Sequence, residues 1–268
     1  MIKVEKFTDV LNVSFEYDAE TVALIKTIPG RKYNPNNHSW DIPQQGIHKL
    51  KELFGSKLDI ADNVDQEYKA PKYDFEKELG FIQYEPLKVF AKWCLKELPE
   101  YFYEVAASST GKYHPSYALG EGGLIRHTRA AVGIAEELFK NETIQNFDDV
   151  EKDIIRVSLL IHDGVKHGVD GSSHTISIHP LEVVKYLEDR YFDVPEETLP
   201  DEVIEVMECD LWERLETCIK SHMGQWNTDY KTGEEILPKP QNEIQKFVHL
   251  CDYLASRKML EVNFDVEG

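Results

Sequence analysis

The chain has 268 residues, of which 41% are hydrophobic and 29% charged, and its formal net charge is −19. This composition is ordinary for a globular protein and excludes a low-complexity class. No apolar run approaches the roughly 20 residues of a membrane span, and the sequence MIKVEKFTDV lacks the layout of a signal peptide. The four cysteines have no CxxC spacing, so we predict reduced thiols in a cytoplasmic protein that no membrane anchors.

The charge is unevenly distributed along the chain. Residues 1–57 hold 8 Lys/Arg against 7 Asp/Glu, whereas the remainder holds 22 against 42. Such an acidic body repels long nucleic acid through its overall field. A small or local phosphate group remains compatible with this charge.

Residues 1–57 predict a small α+β domain. The apolar residues of LNVSFEY alternate, which is typical of a strand with one buried face. Asp18 is placed to cap a helix that ends at Pro29–Gly30. Two short strands around the turn of RKYNPNNHSWDIP and a helix over 44–54 complete the order β-α-β-β-α.

The string IPGRKYNPNNHSWDIP resembles the HARP-like domain that precedes the motor of annealing helicases. The resemblance depends on the Ile-Pro-Gly-Arg turn, Tyr33 and the Trp40-x-Ile-Pro strand, and it covers about a fifth of the chain. In that family the domain helps to engage structured DNA. The resemblance therefore implies DNA or RNA contact through this unit, with Arg31, Lys32 and Trp40 as candidates. Trp40 has a second interpretation, as the core of a very small domain.

The rest of the chain predicts a helical domain. Residues 58–75 are polar and contain Ala70–Pro71, which indicates a linker, and 76–268 then form the second domain. Helical patterns occur over 74–98, 124–140, 149–163, 176–191, 199–223 and 241–262. The predicted fold class is thus mainly α, with an all-helical core preceded by the small α+β domain.

Six side chains of metal-binding type lie along the second half of the chain: His127, His162, Asp163, His179, His222 and Asp252. The pair His162–Asp163 ends the apolar run IIRVSLLIHD, which predicts a buried helix that presents two ligands from one end. Imidazole and carboxylate ligands together suit divalent Mn, Fe, Co, Ni or Zn. His174 competes with His179 for one position, because both lie in HTISIHP.

The order His, His-Asp, His, His, Asp resembles the HD-domain metal-dependent phosphohydrolases. More narrowly, residues from about 105 to 262 resemble the HD domain of bacterial 3′–5′ exoribonucleases. The matching strings are GGLIRHT, LLIHDGVKHG, IKSHMGQW, LPKPQNEIQKFVH and CDYLASRK. Those enzymes carry an OB-fold in front, where this chain has the HARP-like unit, so exonuclease activity does not follow from the resemblance.

The resemblance also implies a role for each ligand. The first ion would be held by His127, His162, Asp163 and Asp252, and the second by His179 and His222, with Asp163 bridging. Two ions about 3.5–4 Å apart can share a hydroxide and clamp a phosphate. Lys166, one helical turn beyond Asp163, corresponds to the family lysine that meets the substrate phosphate. The helix start at Pro180 matches the family and favours His179 over His174.

Further residues are candidates for accessory roles. His114 or His167 could donate a proton to the leaving oxygen, Lys112 and Arg126 could contact phosphate, and His249 could support a ligand. The expected function is hydrolysis of a phosphoester, in a nucleotide or a short nucleic-acid end, by a metal-activated hydroxide. Two alternatives stay open: an HD-type di-iron oxygenase and a non-catalytic nucleic-acid-binding adaptor. The sequence does not indicate an oligomeric state.

Overall fold

The computed structural model describes residues 1–7, 10–28, 31–44, 46–67, 74–108, 114–172, 174–260 and 262. Three features singled out from the sequence lie outside these ranges: Pro29–Gly30, Ala70–Pro71 and Lys112. Among the helices in the described ranges, none is both long enough and apolar enough to cross a membrane.

The N-terminal unit is a five-stranded sheet with two helices. Its strands are β1 (Ile2–Phe7), β2 (Val10–Ser14), β3 (Lys32–Asn34), β4 (Ser39–Pro43) and β5 (Leu58–Ile60). The helices are α1 (Ala19–Ile25) and α2 (Gly46–Phe54). The sheet has the order β3-β4-β2-β1-β5, in which only β1 and β5 are parallel. The prediction of a small α+β domain at this end is confirmed.

Alternating side chains build the core of this unit. Val4, Val13 and Ile42 point inward from three neighbouring strands and are fully buried, as the two-residue period of a strand requires. Asp18 caps α1 as predicted, since its carboxylate accepts the Thr21 N–H at 2.8 Å. Trp40 is 9% exposed and belongs to the same core, so its indole packs against the other apolar side chains of this unit.

Two strands were not predicted. In β1 only Ile2 and Val4 are buried, and the charged residues after Val4 end an alternation that is too short to predict a strand. The three-residue β5 acquires its conformation by pairing with β1, where Ile2 lies opposite Leu58. The sheet therefore extends past residue 57, and Val64 packs in the same core.

The described residues from 76 to 255 form eight helices. These are α3 (Glu76–Phe81), α4 (Glu85–Glu97), α5 (Gly123–Phe139), α6 (Asp149–Ile161), α7 (His179–Asp193), α8 (Asp201–Glu208), α9 (Asp210–Ser221) and α10 (Glu243–Ala255). The mainly helical class is confirmed. The pattern over 74–98 gives two helices, because the N–H groups of Gln83 and Tyr84 leave the helical ladder and donate to Asp153 at 2.9 and 2.7 Å.

Helix α6 lies at the centre of the body, as predicted for a buried helix. Its residues from Asp153 to Ile161 are all buried, and it packs against α4, α5, α9 and α10. Asp148 and Glu151 form a capping box at its N-terminus, which satisfies two backbone N–H groups. The rigid helix fixes the position of the residues that follow it, His162 and Asp163.

Candidate metal centre

The six predicted ligands come from five helices that converge on one point. His127 lies in α5 and Asp252 in α10, while His179 is the first residue of α7. The other three directly follow their helices: His162 and Asp163 after α6, and His222 after α9. Since α5, α9 and α10 each pack against α6, the helix ends bring these side chains to one place.

The ligand atoms are close enough to share bound ions. Three overlapping groups have all their ligand atoms within 4.8 Å of one another: His127/His162/Asp163, His162/His222/Asp252 and Asp163/His179/His222. Asp163 is central, with Oδ1 at 3.0 Å from Nε2 of His179 and Oδ2 at 3.4 Å from Nε2 of His162. Nε2 of His127 lies 3.0 Å from Oδ1 of Asp252.

Backbone carbonyls fix the tautomers of three of these histidines. The Nδ1–H of His162 donates to the carbonyl of Leu159 at 2.7 Å, three residues earlier. His179 and His222 bond in the same way to the carbonyls three residues before them, at 2.8 and 2.7 Å. Because a carbonyl only accepts, each Nδ1 carries a proton, and each ring directs its Nε2 atom toward the cluster.

These Nε2 atoms lie close to one another and to the central carboxylate. The Nε2 atoms of His179 and His222 are 3.3 Å apart, and Nε2 of His179 is 3.0 Å from a carboxylate oxygen of Asp163. Nε2 of His162 and Oδ1 of Asp163 are buried and form no hydrogen bond with the part of the chain that the structure describes. Such an arrangement is costly by itself, and a divalent cation would satisfy all of these atoms. The buried His/Asp cluster could therefore hold a metal ion.

The electrostatics of the cluster favour a cation. Burial acts against the charged form of Asp163, but Lys166 and His162 hold the pKa of this carboxyl well below its usual range. Burial would lower the pKa of His162, but the negative charges of Asp163 and Asp252 raise it to about 10. Burial, with the charge on His162, lowers the pKa of His222 to about 3, so that ring stays neutral. The carboxylates thus remain ionised and attract positive charge.

Access to the cluster is on the side of Asp252 and Lys166. Their side chains are 17% and 10% exposed, whereas the other five ligands are at most 2% exposed. Lys166 pairs with Oδ2 of Asp163, so its ammonium lies beside the predicted ligands. A substrate anion that reached the cluster from solvent would meet this ammonium.

The structure places His174 and His179 differently. His174 is exposed, and its backbone N–H bonds to Ser172 Oγ at 3.1 Å. His179 is 1% exposed and lies in the cluster. Local sequence left this choice open, because both residues follow the same loop.

The accessory candidates separate in the structure. His114 packs edge-on against His127 with ring centroids 5.4 Å apart, and its buried Nδ1 has no hydrogen-bond partner among the described residues. His167 stacks on Tyr101. Arg126 donates to the backbone carbonyls of Tyr117 and Leu119, which ties it to the preceding loop.

His249 contacts His222, although the predicted ligand nearest to it in sequence is Asp252. Its Nδ1–H donates to the carbonyl of His222 at 2.7 Å, which helps to hold that residue. Three side chains near it were not singled out from the sequence: Trp226, Tyr253 and Arg257. Trp226 follows His222 by four residues and Tyr253 directly follows Asp252. The closeness of Trp226 and Tyr253 in sequence to two predicted ligands is the feature by which they could have been identified.

The N-terminal unit matches a known family model. The model, described as HepA-related protein (HARP), matches residues 11–53, about a sixth of the chain. No curated protein and no solved structure matches the chain. The predicted HARP-like character is therefore confirmed for this unit. The resemblance of the helical body to HD phosphohydrolases stays a prediction.

Proposed function

We propose that this chain is a metal-dependent phosphohydrolase of the HD type that cleaves a phosphoester in a nucleotide or a short nucleic-acid end. The observation that carries the proposal is the convergence of four imidazoles and two carboxylates around Asp163. Three of the rings use Nδ1 on a backbone carbonyl and direct Nε2 inward, toward the carboxylate of Asp163 or a neighbouring ring. This donor set suits a first-row divalent ion.

In this proposal, His127, His162, Asp163 and Asp252 hold one ion, and His179 and His222 hold a second with Asp163 shared between them. When bound, such ions would polarise a phosphate and lower the pKa of a water molecule. The backbone-bound tautomers keep the Nε2 lone pairs directed inward without rearrangement. Burial of these ligands excludes bulk water, which strengthens their interactions with charge.

Lys166 would neutralise the phosphate. Its ammonium is already held beside Asp163, and it forms part of the access side of the cluster. A lysine supplies a compact point charge, which suits a phosphate oxygen. Because the body is acidic, this local cation would favour a single phosphate group over a long strand.

The N-terminal unit would contribute nucleic-acid contact. The HARP match over residues 11–53 supports an association with nucleic acid, and this end of the chain lacks the acidic excess of the body. Lys32 is exposed and Arg31 is half-buried, whereas Trp40 is buried. Any contact at this site would therefore depend on the two cations and not on the indole.

The proposal is tested by turnover. The purified chain, loaded with Mn²⁺, is incubated with mononucleotides, cyclic dinucleotides and short oligonucleotides, and the products are separated by chromatography. We expect hydrolysis of at least one of these classes. Absence of turnover on all of them, with bound metal verified by elemental analysis, would contradict the proposal. Oxygen consumption without phosphoester cleavage would support a di-iron oxygenase instead.

Matched variants connect activity to the cluster. Asp163→Ala removes the shared carboxylate, and we expect it to abolish both metal binding and hydrolysis. Asp170→Ala removes an exposed carboxylate from the loop after α6 and should retain both. Equal activity of the two variants would show that the reaction does not depend on the cluster.

A further inference from the structure

An aromatic and cationic cluster lies beside the candidate metal centre. The ring of Trp226 stacks on that of Tyr253, with centroids 5.6 Å apart and an interplanar angle of 17°. The guanidinium carbon of Arg257 lies 4.3 Å from the Tyr253 ring centroid and 5.3 Å from that of Trp226. His249 approaches the Trp226 ring edge-on at 6.1 Å. We call these four residues the Trp226 platform.

Trp226 and Arg257 of the platform have polar groups and surface that are available to a ligand. Trp226 is 43% exposed, and within the described part of the chain its indole N–H has no hydrogen-bond partner. Arg257 bonds to Ser256 Oγ at 2.9 and 3.1 Å. It forms no ion pair with any carboxylate among the described residues, although the chain carries a net charge of −19. A partly exposed indole, beside an arginine that pairs with no carboxylate of the described residues, suits an aromatic ligand that carries negative charge.

The platform is built onto the segments that carry two of the predicted ligands. Tyr253 follows Asp252 in α10, and Asp252 is the most exposed member of the cluster. On the other segment, His249 bonds to the carbonyl of His222. Trp226 lies four residues further along. The platform is therefore joined to the backbone of two predicted ligands, one of which, Asp252, borders the access side of the cluster.

Gly224 fixes the relation between these two segments. Its φ of +57° favours glycine, and a Cβ at this position would lie 2.3 Å from the His249 ring. The chain can therefore pass directly over His249 on its way from His222 to Trp226. This close packing holds the Trp226 platform in a fixed position relative to the candidate metal centre.

We propose that the Trp226 platform binds the nucleobase of the substrate, with the base stacked on the exposed face of Trp226 and Arg257 available to its negative charge. This inference rests on the proposed function, because it takes the substrate to be a nucleotide or a nucleic-acid end. Every base has an aromatic face, so a platform of this kind tolerates different base sequences. It would make Trp226 a binding residue that selects nucleotides over other phosphoesters.

The test compares two ligands that carry the same 5′-phosphate and differ in the base. Binding of adenosine 5′-monophosphate and ribose 5-phosphate to the full chain is measured by equilibrium dialysis, with EDTA present to stop turnover. We expect the nucleotide to bind about tenfold more tightly, as a single stacked base allows. Trp226→Ala should abolish this preference, whereas Trp226→Phe, which keeps an aromatic face, should retain most of it.

Two controls separate stacking from a loss of folding. Tyr230→Ala removes an aromatic ring from the same segment that is 84% exposed and not part of the platform, and it should bind like the wild type. Thermal unfolding of each variant, followed by circular dichroism, shows whether Trp226→Ala has kept its structure. A parallel titration with an oligoadenylate of five nucleotides distinguishes a strand end from a free nucleotide as the ligand of the platform. Trp226→Ala should lower the affinity for whichever of the two ligands stacks on Trp226.

The outcomes distinguish this inference from the function on which it rests. If the wild type hydrolyses nucleotides but binds both ligands equally, or if Trp226→Ala keeps the preference, the inference is wrong while the proposed function stands. If the chain hydrolyses nothing yet loses its nucleotide preference in Trp226→Ala, the platform is correct and the proposed hydrolysis is wrong. In a chain that does turn over, Trp226→Ala should raise KM by about tenfold and change kcat little.

Discussion

Asp163 is the residue on which the candidate site depends, because its two oxygens face different histidines. Oδ1 lies 3.0 Å from Nε2 of His179, and Oδ2 lies 3.4 Å from Nε2 of His162. Lys166 pairs with Oδ2 and helps to keep the carboxyl ionised. No other residue in the described ranges joins both ends of the cluster in this way.

The two histidines of HTISIHP give a prediction at this scale. His179→Ala removes a buried ring from the cluster, so we expect the affinity for Mn²⁺ to fall by about tenfold or more. His174→Ala removes an exposed ring and should leave the affinity unchanged. Isothermal titration of both variants measures the difference. A larger effect from His174→Ala would show that the loop adopts a different arrangement around the metal.

At the scale of elements, helix α6 organises the site through a buried carboxylate as well as through its packing. Asp153 is fully buried and accepts the N–H groups of Gln83 and Tyr84, where α3 ends and α4 begins. Its other oxygen accepts from Arg156 at 2.7 Å. One side chain thus joins the turn between α3 and α4 to the helix that carries His162 and Asp163.

We expect Asp153→Ala to lower the free energy of unfolding by about 3 kcal/mol or more, because it leaves Arg156 without a partner of its buried ion pair and two backbone N–H groups without their acceptor. Asp149→Ala, one turn earlier on the same helix, removes a carboxylate that is 90% exposed and should cost less than about 1 kcal/mol. Urea unfolding followed by circular dichroism measures both. Similar losses for the two variants would mean that the Asp153 contacts contribute little.

The sequence predicted elements whose signals are local. The apolar run of α6 and the Asp18 cap of α1 depend on neighbouring residues, and both are present as expected. Strand β5 and the break at Gln83 depend on partners more than 50 residues away, Ile2 and Asp153. Local sequence patterns do not indicate such distant partners, so neither β5 nor the break at Gln83 was predicted.

The same distinction applies to the site. The order of the six predicted ligands was visible in the sequence, and the structure brings all six together. The different positions of His174 and His179 became visible only in the fold, since the two lie five residues apart in one short segment. The Trp226 platform was not foreseen because its stacking joins the segment after α9 to α10.

At the scale of the whole molecule, the charge is unevenly divided between the two units, which bears on the proposed substrate. The body carries the acidic excess, whereas the N-terminal unit is nearly neutral and matches the HARP model. The two units have separate hydrophobic cores. This division favours a reaction at a single phosphate in the body and nucleic-acid contact, where it occurs, through the N-terminal unit.

Salt dependence tests this division. A mononucleotide meets the protein through one phosphate, so we expect its affinity for the Mn²⁺-loaded chain to change by less than about threefold between about 50 and 200 mM salt. An oligonucleotide bound through several phosphates would lose much more over the same range. Fluorescence anisotropy with labelled ligands gives both values. A steep loss for the mononucleotide would place several further cations at its site.

The measurement that tests the metal centre most directly is the metal content of the whole chain. Wild-type protein and Asp163→Asn are equilibrated with Mn²⁺ or Zn²⁺, passed through gel filtration and analysed by mass spectrometry of the elements. We predict near-stoichiometric metal in the wild type and less than about a tenth of that amount in the variant, because the shared carboxylate is lost. Equal metal retention in the two proteins, or none in the wild type, would contradict the assignment of the buried His/Asp cluster as a metal centre.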